Sequence, residues 1–227
     1  MHNPGTTIKH YQITRVIGYG GFGAVYEAVD TRQANRQVAL KETFEPDSIR
    51  AFQGEFAILH GLTHDHLPRY DEVFESDGNG YLVMELVPGQ SLADVQKQVQ
   101  GPLLEMQVMG YALQICDALT FLHSQQPPLL HRDIKPANIR LRPDGLIKLV
   151  DFGLLKQGTD TTHSSRLGLT TAYAPLEQWG GTGMHTTPRS DLYSLAASLY
   201  HCSPACNHHK QPTASQQNPT RSYHHVS

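Results

Sequence analysis

The segment 131–153 constrains the fold of this 227-residue chain more than any other part of the sequence. It reads as a β-hairpin, because the turn Pro143-Asp144-Gly145 separates two short apolar runs that are bounded by Asn138 and Asp151. A hairpin brings its ends together, so Asn138 and Asp151 are expected to be neighbours at one open end. Amide and carboxylate oxygens are ligands that Mg²⁺ accepts alongside water and phosphate oxygens. The hairpin therefore predicts a magnesium site formed by Asn138 and Asp151.

The polar loop that precedes the hairpin adds groups for acid–base chemistry. Asp133 lies on the same loop as Asn138 and could accept a proton from an incoming hydroxyl, and Lys135 adds a positive charge. Pro136 indicates that this stretch is not helical. Taken singly, Asp and Asn in a loop are often capping residues, so the prediction depends on their occurring together.

A glycine-rich segment at 18–23 has the spacing G-x-G-x-x-G. Glycine lets backbone N–H groups approach a phosphate closely. Two other interpretations stay open: a tight hairpin turn without a ligand, and the dinucleotide fold, in which the third glycine opens a helix. Residues 24–29 are rich in β-forming residues and favour a strand, however. The pattern is therefore more typical of a flap between two strands that covers phosphates.

Lys41 ends the apolar run 38–40, so its ammonium would point into a partly enclosed space where an unpaired charge is costly. Glu55 lies between Phe52 and Phe56, at the edge of the apolar face of the next predicted helix, and is the expected partner. This pair would hold the ammonium where it can bind phosphate oxygens. The alternative is a lysine that extends to solvent.

The predicted elements follow the order strands, one helix, strands, and then mostly helices. Strands are predicted at 11–17, 24–29, 38–41 and, around a turn at 77–80, within 70–87, and helices are predicted around 49–59, 92–99 and 108–122. A sheet-rich half followed by a helix-rich half predicts an α+β fold in two lobes.

Composition excludes several classes of protein. With 18 Lys and Arg against 21 Asp and Glu, the net charge of −3 does not suit a dedicated nucleic-acid-binding protein. No apolar run approaches the roughly 20 residues that a membrane span needs. Residues 1–10 do not resemble a signal peptide, and three cysteines cannot build a disulfide scaffold. The expected location is the reducing cytoplasm.

The composition changes abruptly at residue 202. Positions 202–227 contain no Asp, Glu, Gly, Leu, Ile, Phe or Met, and Val226 is their only branched aliphatic residue. This tail cannot bury enough apolar surface to offset the entropy of ordering, and we expect it to be disordered. A shifted reading frame or a degraded gene would explain the change. The alternative is a metal site at 202–209, although C-x₃-C-x-H-H is not a well-known zinc spacing.

Taken together, the motifs resemble the eukaryotic-type protein kinase family, in its bacterial serine/threonine branch. The matching motifs are I-G-Y-G-G-F-G-A-V-Y at 17–26, V-A-L-K at 38–41, H-R-D-I-K-P-A-N at 131–138, D-F-G at 151–153 and A-P-L-E-Q at 174–178. The resemblance implies a two-lobed domain over 11–201. A small antiparallel-sheet lobe with one helix would cover about 11–86 and a mainly helical lobe about 87–201, flanked by an N-terminal extension at 1–10 and the disordered tail.

This resemblance implies ATP and Mg²⁺ as cofactors. Met84 would be the gatekeeper of the adenine pocket, and Glu85 and Val87 would form backbone hydrogen bonds to the base. The residues that the resemblance places in the ATP site are Ile17, Gly18, Gly20, Gly21, Gly23, Val25, Ala39, Lys41, Glu55, Met84, Glu85 and Val87.

The resemblance also implies the chemistry. Asp133 would orient and deprotonate the substrate hydroxyl, Lys135 would neutralise charge on the γ-phosphate, and Asn138 and Asp151 would hold Mg²⁺. The implied reaction is transfer of the γ-phosphoryl group of Mg-ATP to a Ser or Thr hydroxyl of a protein substrate. No nucleic acid and no membrane span are expected.

Regulation by phosphorylation is a further expectation. Arg132 precedes Asp133, and in this family such an arginine often binds a phosphate on the activation segment, here 151–177. The candidate phosphoacceptors are Thr161, Thr162, Ser164, Ser165, Thr170 and Thr171. The alternative is that these residues only reflect ordinary loop composition.

The family pattern ends early in this sequence. Residues 191–200 resemble the start of the long core helix of the helical lobe, and the helices that should follow residue 201 are missing. The helical lobe is therefore expected to be incomplete, with an apolar face left open. The alternative function is a truncated, catalytically inert remnant that at most binds ATP or partners, and a small-molecule kinase ranks third.

Overall fold

The computed structural model describes residues 1–20, 23–44, 48–152, 172–178 and 185–204. Within these ranges, no helix is long and apolar enough to cross a bilayer. The strands are β1 Thr7–Ile8, β2 Tyr11–Gly20, β3 Gly23–Asp30, β4 Arg36–Thr43, β5 Tyr70–Ser76, β6 Asn79–Glu85, β7 Gln90–Ser91, β8 Ile139–Leu141 and β9 Ile147–Leu149. The helices are α1 Ser48–Leu59, α2 Leu92–Val99, α3 Glu105–His123 and α4 Pro188–Cys202.

The first half of the chain forms an antiparallel sheet with the strand order β1-β2-β3-β4-β6-β5, and α1 packs against β5 and β6. The predicted turn between β5 and β6 is present. Asp77 and Gly78 have φ values of 52° and 81°, the left-handed conformation that a two-residue hairpin turn requires. The predicted strands and the helix at 49–59 are therefore confirmed.

Strand β4 separates two apolar cores, because successive side chains of a strand point to opposite faces. Val38 and Leu40 are fully buried with Tyr26 and Tyr81 on the outer face of the sheet. Ala39 belongs to the larger core, which continues into the second half of the chain. Side chains with the orientation of Ala39 therefore face the cleft, which is the space between this sheet and the helical half.

The first ten residues take part in the sheet. β1 pairs with β2, and Nε2 of His2 lies 2.9 Å from Oε1 of Glu42. Tyr26 and Tyr81 donate their hydroxyl hydrogens to Glu42, each at 2.6 Å. Burial by itself would raise the pKa of Glu42, but these hydrogen bonds outweigh burial and lower it. The segment 1–10, expected to precede the domain, thus contributes a strand and a contact to a buried carboxylate.

The second half is mainly helical, as its sequence predicted. Ser91 caps α2, since its Oγ accepts a hydrogen bond from the backbone N–H of Asp94 at 3.1 Å. The apolar stripe of α3 is buried at Val108, Ile115, Leu119 and Leu122. A small sheet, β7-β8-β9, lies between the helices and the cleft, and α4 packs against α3. The predicted α+β arrangement is confirmed.

Candidate active site

The loop 131–138 is fixed by a buried carboxylate on α4. Asp191 accepts hydrogen bonds from the backbone N–H groups of His131 at 2.9 Å and Arg132 at 2.8 Å, and it lies 2.9 Å from Nε2 of His123. Burial alone would raise the pKa of Asp191, but these contacts lower it. They also hold Arg132 at a φ of 65°, where the chain turns before Asp133.

Sequence reasoning assigned no role to Asp191. A carboxylate near the start of a predicted helix usually interacts favourably with the helix dipole, and this common role requires no specific partner. Its partners lie 59 and 60 positions earlier in the chain, so no local pattern points to them.

Asp133 is held by the two polar residues that the sequence placed on its loop. Nζ of Lys135 donates to Oδ2 of Asp133 at 3.0 Å, and Nδ2 of Asn138 donates to the same oxygen at 3.0 Å. Asn138 also donates to the backbone carbonyl of Asp133 at 2.8 Å. The side chain is therefore oriented on a polar, partly buried surface, where a carboxylate can accept a proton from a hydroxyl.

The predicted hairpin brings Asn138 and Asp151 to one end. Ile139 pairs with Leu149, and the backbone N–H of Val150 donates to the carbonyl of Asn138 at 2.9 Å. The side-chain nitrogen of Asn138 donates a hydrogen bond to Asp133, so the side-chain oxygen of Asn138 can bind a ligand. Together with the half-exposed carboxylate of Asp151, this set of hard oxygens suits Mg²⁺.

Lys41 contacts Asp151 instead of the expected Glu55. Its Nζ lies 3.4 Å from Oδ1 of Asp151 and 5.9 Å from the centre of the Phe52 ring. Burial by itself would lower the pKa of Lys41, but the charges of Asp151 and Glu55 outweigh burial and raise it. Lys41 therefore stays protonated and links the sheet to the end of the hairpin.

Glu55 differs from the other charged residues of this site in that its carboxylate is buried without a partner among the described residues. Its side chain is 2% exposed, and neither carboxylate oxygen has a hydrogen-bond partner among the described residues. Burial raises the pKa of Glu55, although the charge of Lys41 partly opposes this effect. The predicted ion pair between Lys41 and Glu55 is wrong for this conformation, because Asp151 lies within ion-pair distance of the ammonium and Glu55 does not.

The glycine-rich segment joins β2 and β3 in antiparallel register, from Gly18 opposite Val25 to Gly20 opposite Gly23. A strand follows the glycines, so the helix of the dinucleotide fold is not formed. A Cβ on Gly23 would lie 2.0 Å from the backbone oxygen of Glu42, and only glycine permits that approach. Gly21 lies outside the described residues.

The apolar residues predicted around the base lie on neighbouring strands. Ala39 is directly opposite Met84, and both side chains are at most 6% exposed. Val25 packs against the same core from β3, and Ile17 is 39% exposed at the start of the glycine segment. Ala39, Met84 and Val25 therefore belong to one apolar cluster.

Two basic residues, Lys148 and Arg140, contact the end of β6 and the segment that follows it. The carboxylate of Glu85 lies 2.9 Å from Nζ of Lys148, and the backbone N–H of Glu85 donates to the carbonyl of Arg69 at 2.8 Å. Val87 is buried, and its carbonyl accepts a hydrogen bond from Arg140 at 3.2 Å. Arg140 was not singled out from the sequence, because an arginine in a short strand usually indicates an exposed position.

Residues 172–178 close the site on the side of α4. Nε2 of Gln178 donates to the carbonyl of Arg132 at 3.1 Å, and Glu177 accepts a hydrogen bond from Oγ of Ser190 at 2.5 Å. A small pocket there is lined in part by Asp133 and Tyr173. The following candidate phosphoacceptors lie outside the described residues, as does the tail from residue 205: Thr161, Thr162, Ser164, Ser165, Thr170 and Thr171.

Comparison with known families and proteins gives consistent matches. Residues 11–225 match the family model described as "Protein kinase domain". The chain is 36% identical over 206 residues to the serine/threonine-protein kinase PknE of Mycobacterium bovis, covering 87% of this chain and 35% of that protein. It is 35% identical over 209 residues to PknA of Mycobacterium tuberculosis, covering 86% and 47%. The chain thus spans about a third to a half of these relatives.

Solved structures share the fold. A structure titled "PpkA-294 apo form" has a TM-score of 0.72 at 26% identity, with 90% of this chain and 80% of that chain covered. The Mycobacterium tuberculosis PknI kinase domain has a TM-score of 0.69 at 26% identity, with 89% and 77% covered. The two-lobed architecture described above is the architecture of these proteins.

Proposed function

Because the chain belongs to the protein kinase domain family, we propose that it transfers the γ-phosphoryl group of Mg-ATP to a serine or threonine hydroxyl of a protein. In this reaction the hydroxyl oxygen forms a bond to the γ-phosphorus, the bond from that phosphorus to the β–γ bridging oxygen breaks, and ADP leaves. The hydroxyl proton passes to a base. The residues of the cleft have the chemistry that each part of this reaction needs.

Asp133 is the proposed base. Its Oδ2 is already oriented by Lys135 and Asn138, and orientation of this kind reduces the entropy that the reaction would otherwise lose. Lys135, which is adjacent, can stabilise the negative charge of the transferring group once the substrate is bound. Lys135 at this position also supports a Ser/Thr hydroxyl over a Tyr hydroxyl as acceptor, by the family resemblance.

Asn138 and Asp151 are the proposed ligands of Mg²⁺, through the amide oxygen and the carboxylate. When bound, this ion would supply positive charge that offsets the charge developing on the leaving group. Lys41 is the proposed contact to the α- and β-phosphates, because its protonated ammonium already lies at the same end of the hairpin. Gly23 brings the backbone of the flap close to β4, and the proposed role of the flap is to cover the phosphates.

One observation supports this proposal above the others. The ion pair between Lys41 and Asp151, at 3.4 Å, joins the sheet to the end of the hairpin that carries the proposed metal ligands, next to the loop of the proposed base. A protein that only contacts partners would not require this arrangement of charged groups. The inert remnant inferred from the sequence would share the geometry but not the turnover, so a turnover assay separates the two.

The test is phosphoryl transfer from radiolabelled Mg-ATP to a mixed protein substrate, followed by identification of the labelled amino acid. The wild-type chain is expected to label Ser and Thr. Asp133→Asn removes the base and Asp151→Asn removes a metal ligand, so both should lose transfer.

Asp144→Asn is the matched control, since Asp144 lies at the opposite end of the same hairpin and pairs with Arg142. It should keep full activity. Transfer by the wild type that equals transfer by the Asp133→Asn variant would contradict catalysis and favour the inert alternative. Labelled tyrosine would contradict the proposed acceptor.

A further inference from the structure

Tyr70 places a hydroxyl group inside the large core of the protein. Its side chain is 3% exposed at the start of β5, and the centre of its ring lies 6.4 Å from that of Phe152. The hydroxyl has no hydrogen-bond partner among the described residues. A buried donor of this kind is costly, and phenylalanine would keep the ring without the cost. A hydroxyl at this position therefore requires an explanation other than packing.

The carboxylate of Glu55 is the complementary group. α1, which carries Glu55, packs against β5, and the residues on either side of it, Phe52 and Phe56, contribute to the same core as Tyr70. Neither oxygen of Glu55 has a partner among the described residues. Burial raises the pKa of Tyr70 well above its usual range, and the charge of Glu55 adds to this effect. An unpartnered donor and two unpartnered acceptors thus lie in neighbouring elements of one core.

Lys41 can supply a hydrogen bond to only part of this carboxylate. In the structure its ammonium lies 3.4 Å from Asp151. In the proposed function the carboxylate of Asp151 binds Mg²⁺, so the ammonium is no longer held there and can also contact Glu55. One oxygen of Glu55 would then accept from Lys41, and the second oxygen would still need a donor. The hydroxyl of Tyr70 is suited to that role.

We propose that Tyr70 is a positioning residue, whose hydroxyl donates to Glu55 in the nucleotide-bound protein and holds the carboxylate for Lys41. This inference rests on the proposed function and deepens it. In the free protein the hydroxyl of Tyr70 and the carboxylate of Glu55 each carry the cost of a buried polar group without a described partner. Because binding would remove both costs, the hydroxyl favours the bound conformation over the free one.

The experiment measures the melting temperature of the free chain and the Kd for Mg-ATP by calorimetry. Tyr70→Phe removes only the hydroxyl. The free variant should melt about 2–6 °C higher than the wild type, because an unpartnered buried group is lost. Its Kd for Mg-ATP should rise about 10- to 100-fold, because the hydrogen bond to a charged group is lost in the bound state. A hydroxyl with a merely structural role would not combine higher stability with weaker binding.

Tyr11→Phe is the matched control. Tyr11 is buried to a similar extent, but its hydroxyl donates to Glu72 at 2.7 Å. Removing this partnered hydroxyl should lower the melting temperature by about 2–4 °C and leave the Kd for Mg-ATP unchanged.

Glu55→Met tests whether the hydroxyl acts through Glu55. Methionine has a similar length, favours helix and offers no carboxylate oxygen. In the Glu55→Met background, Tyr70→Phe should change the Kd for Mg-ATP by less than about twofold, since the group that the hydroxyl positions is already absent.

Several results would overturn the inference. A Tyr70→Phe chain that melts below the wild type would show that the hydroxyl is partnered in the free protein. An unchanged Kd would remove its contribution to the bound state, and an equal change of Kd in the Glu55→Met background would show that it does not act through Glu55. A wild-type chain that does not bind Mg-ATP would contradict the proposed function, and the inference with it. That outcome is distinct, because the other three compare variants of a chain that binds.

Discussion

Glu55→Gln is expected to stabilise this protein in the absence of nucleotide. Glu55 is 2% exposed, and both of its oxygens lack a hydrogen-bond partner among the described residues. Lys41, the counter-charge that the sequence predicted for Glu55, is within ion-pair distance of Asp151 instead. The substitution removes the buried charge and keeps the shape of the side chain.

The magnitude follows from the cost of an unpaired buried polar group, which is about 1–3 kcal/mol and larger for a charge. Glutamine retains polar atoms, so the substitution recovers only the part of this cost that is due to charge, about 1–2 kcal/mol. For a chain of this size each kcal/mol corresponds to about 2–4 °C in melting temperature. The variant should therefore melt about 2–8 °C higher than the wild type near pH 8.

The pH dependence gives a sharper test. Burial raises the pKa of Glu55 in the folded state, so the folded protein binds more protons than the unfolded chain between the two pKa values. The free energy of unfolding then falls as the pH rises above the unfolded value of about 4.3. The advantage of Glu55→Gln should be largest above the folded pKa of Glu55 and should vanish near pH 4.

Urea unfolding at several pH values measures this difference directly. Glu75→Gln is the control, because Glu75 is an exposed carboxylate on β5, and its effect should stay within about 0.5 kcal/mol. A Glu55→Gln variant that is less stable than the wild type at pH 8 would refute the reasoning. It would show that Glu55 is paired in the free protein.

Further predictions concern the base, the flap and the outer core. Asp133→Asn should reduce kcat by about 10²- to 10⁴-fold with the Kd for Mg-ATP unchanged, and stopped transfer with lost binding would instead indicate misfolding. Gly23→Ala should lower stability by about 1–3 kcal/mol in thermal unfolding because of the 2.0 Å approach to a backbone oxygen, whereas Gly20→Ala, whose Cβ meets nothing within 4 Å, should change it little. Glu42→Gln should cost about 2–3 kcal/mol at pH 7 in urea unfolding. The pKa of Glu42 is lowered in the folded state, so this loss should shrink as the pH falls from about 4.3 through the folded pKa, and a constant loss would contradict the argument.

Sequence patterns located the elements that depend on neighbouring residues. The helix predicted from residue 92, which Ser91 caps, the turn at 77–80 and the strand–glycine–strand order around 18–23 are all present. Each follows from chemistry within a few residues, such as a hydroxyl oxygen near a free N–H group or a positive φ at a glycine. The hairpin over 139–149 belongs to the same class, and it brought Asn138 and Asp151 together as expected.

Contacts between distant residues were not accessible in this way. The partner of Lys41, the buried cluster around Glu42 and the contact of Arg140 with Val87 each join positions from different elements. For Lys41 the sequence predicted Glu55 as the partner, and the observed pairing with Asp151 depends on how α1 sits relative to the hairpin.

The sequence by itself determined which reactive groups the protein has and the order in which they occur along the chain. It also determined the hairpin that brings Asn138 and Asp151 together, since its turn depends on short-range sterics and hydrogen bonds. The turn before Asp133, by contrast, is held by the distant Asp191. Only the tertiary structure decided which charges are paired and which are buried alone, because both depend on the packing of whole elements. The carboxylate of Glu55, which has no hydrogen-bond partner among the described residues, and the contact of Arg140 with Val87 are consequences of that packing.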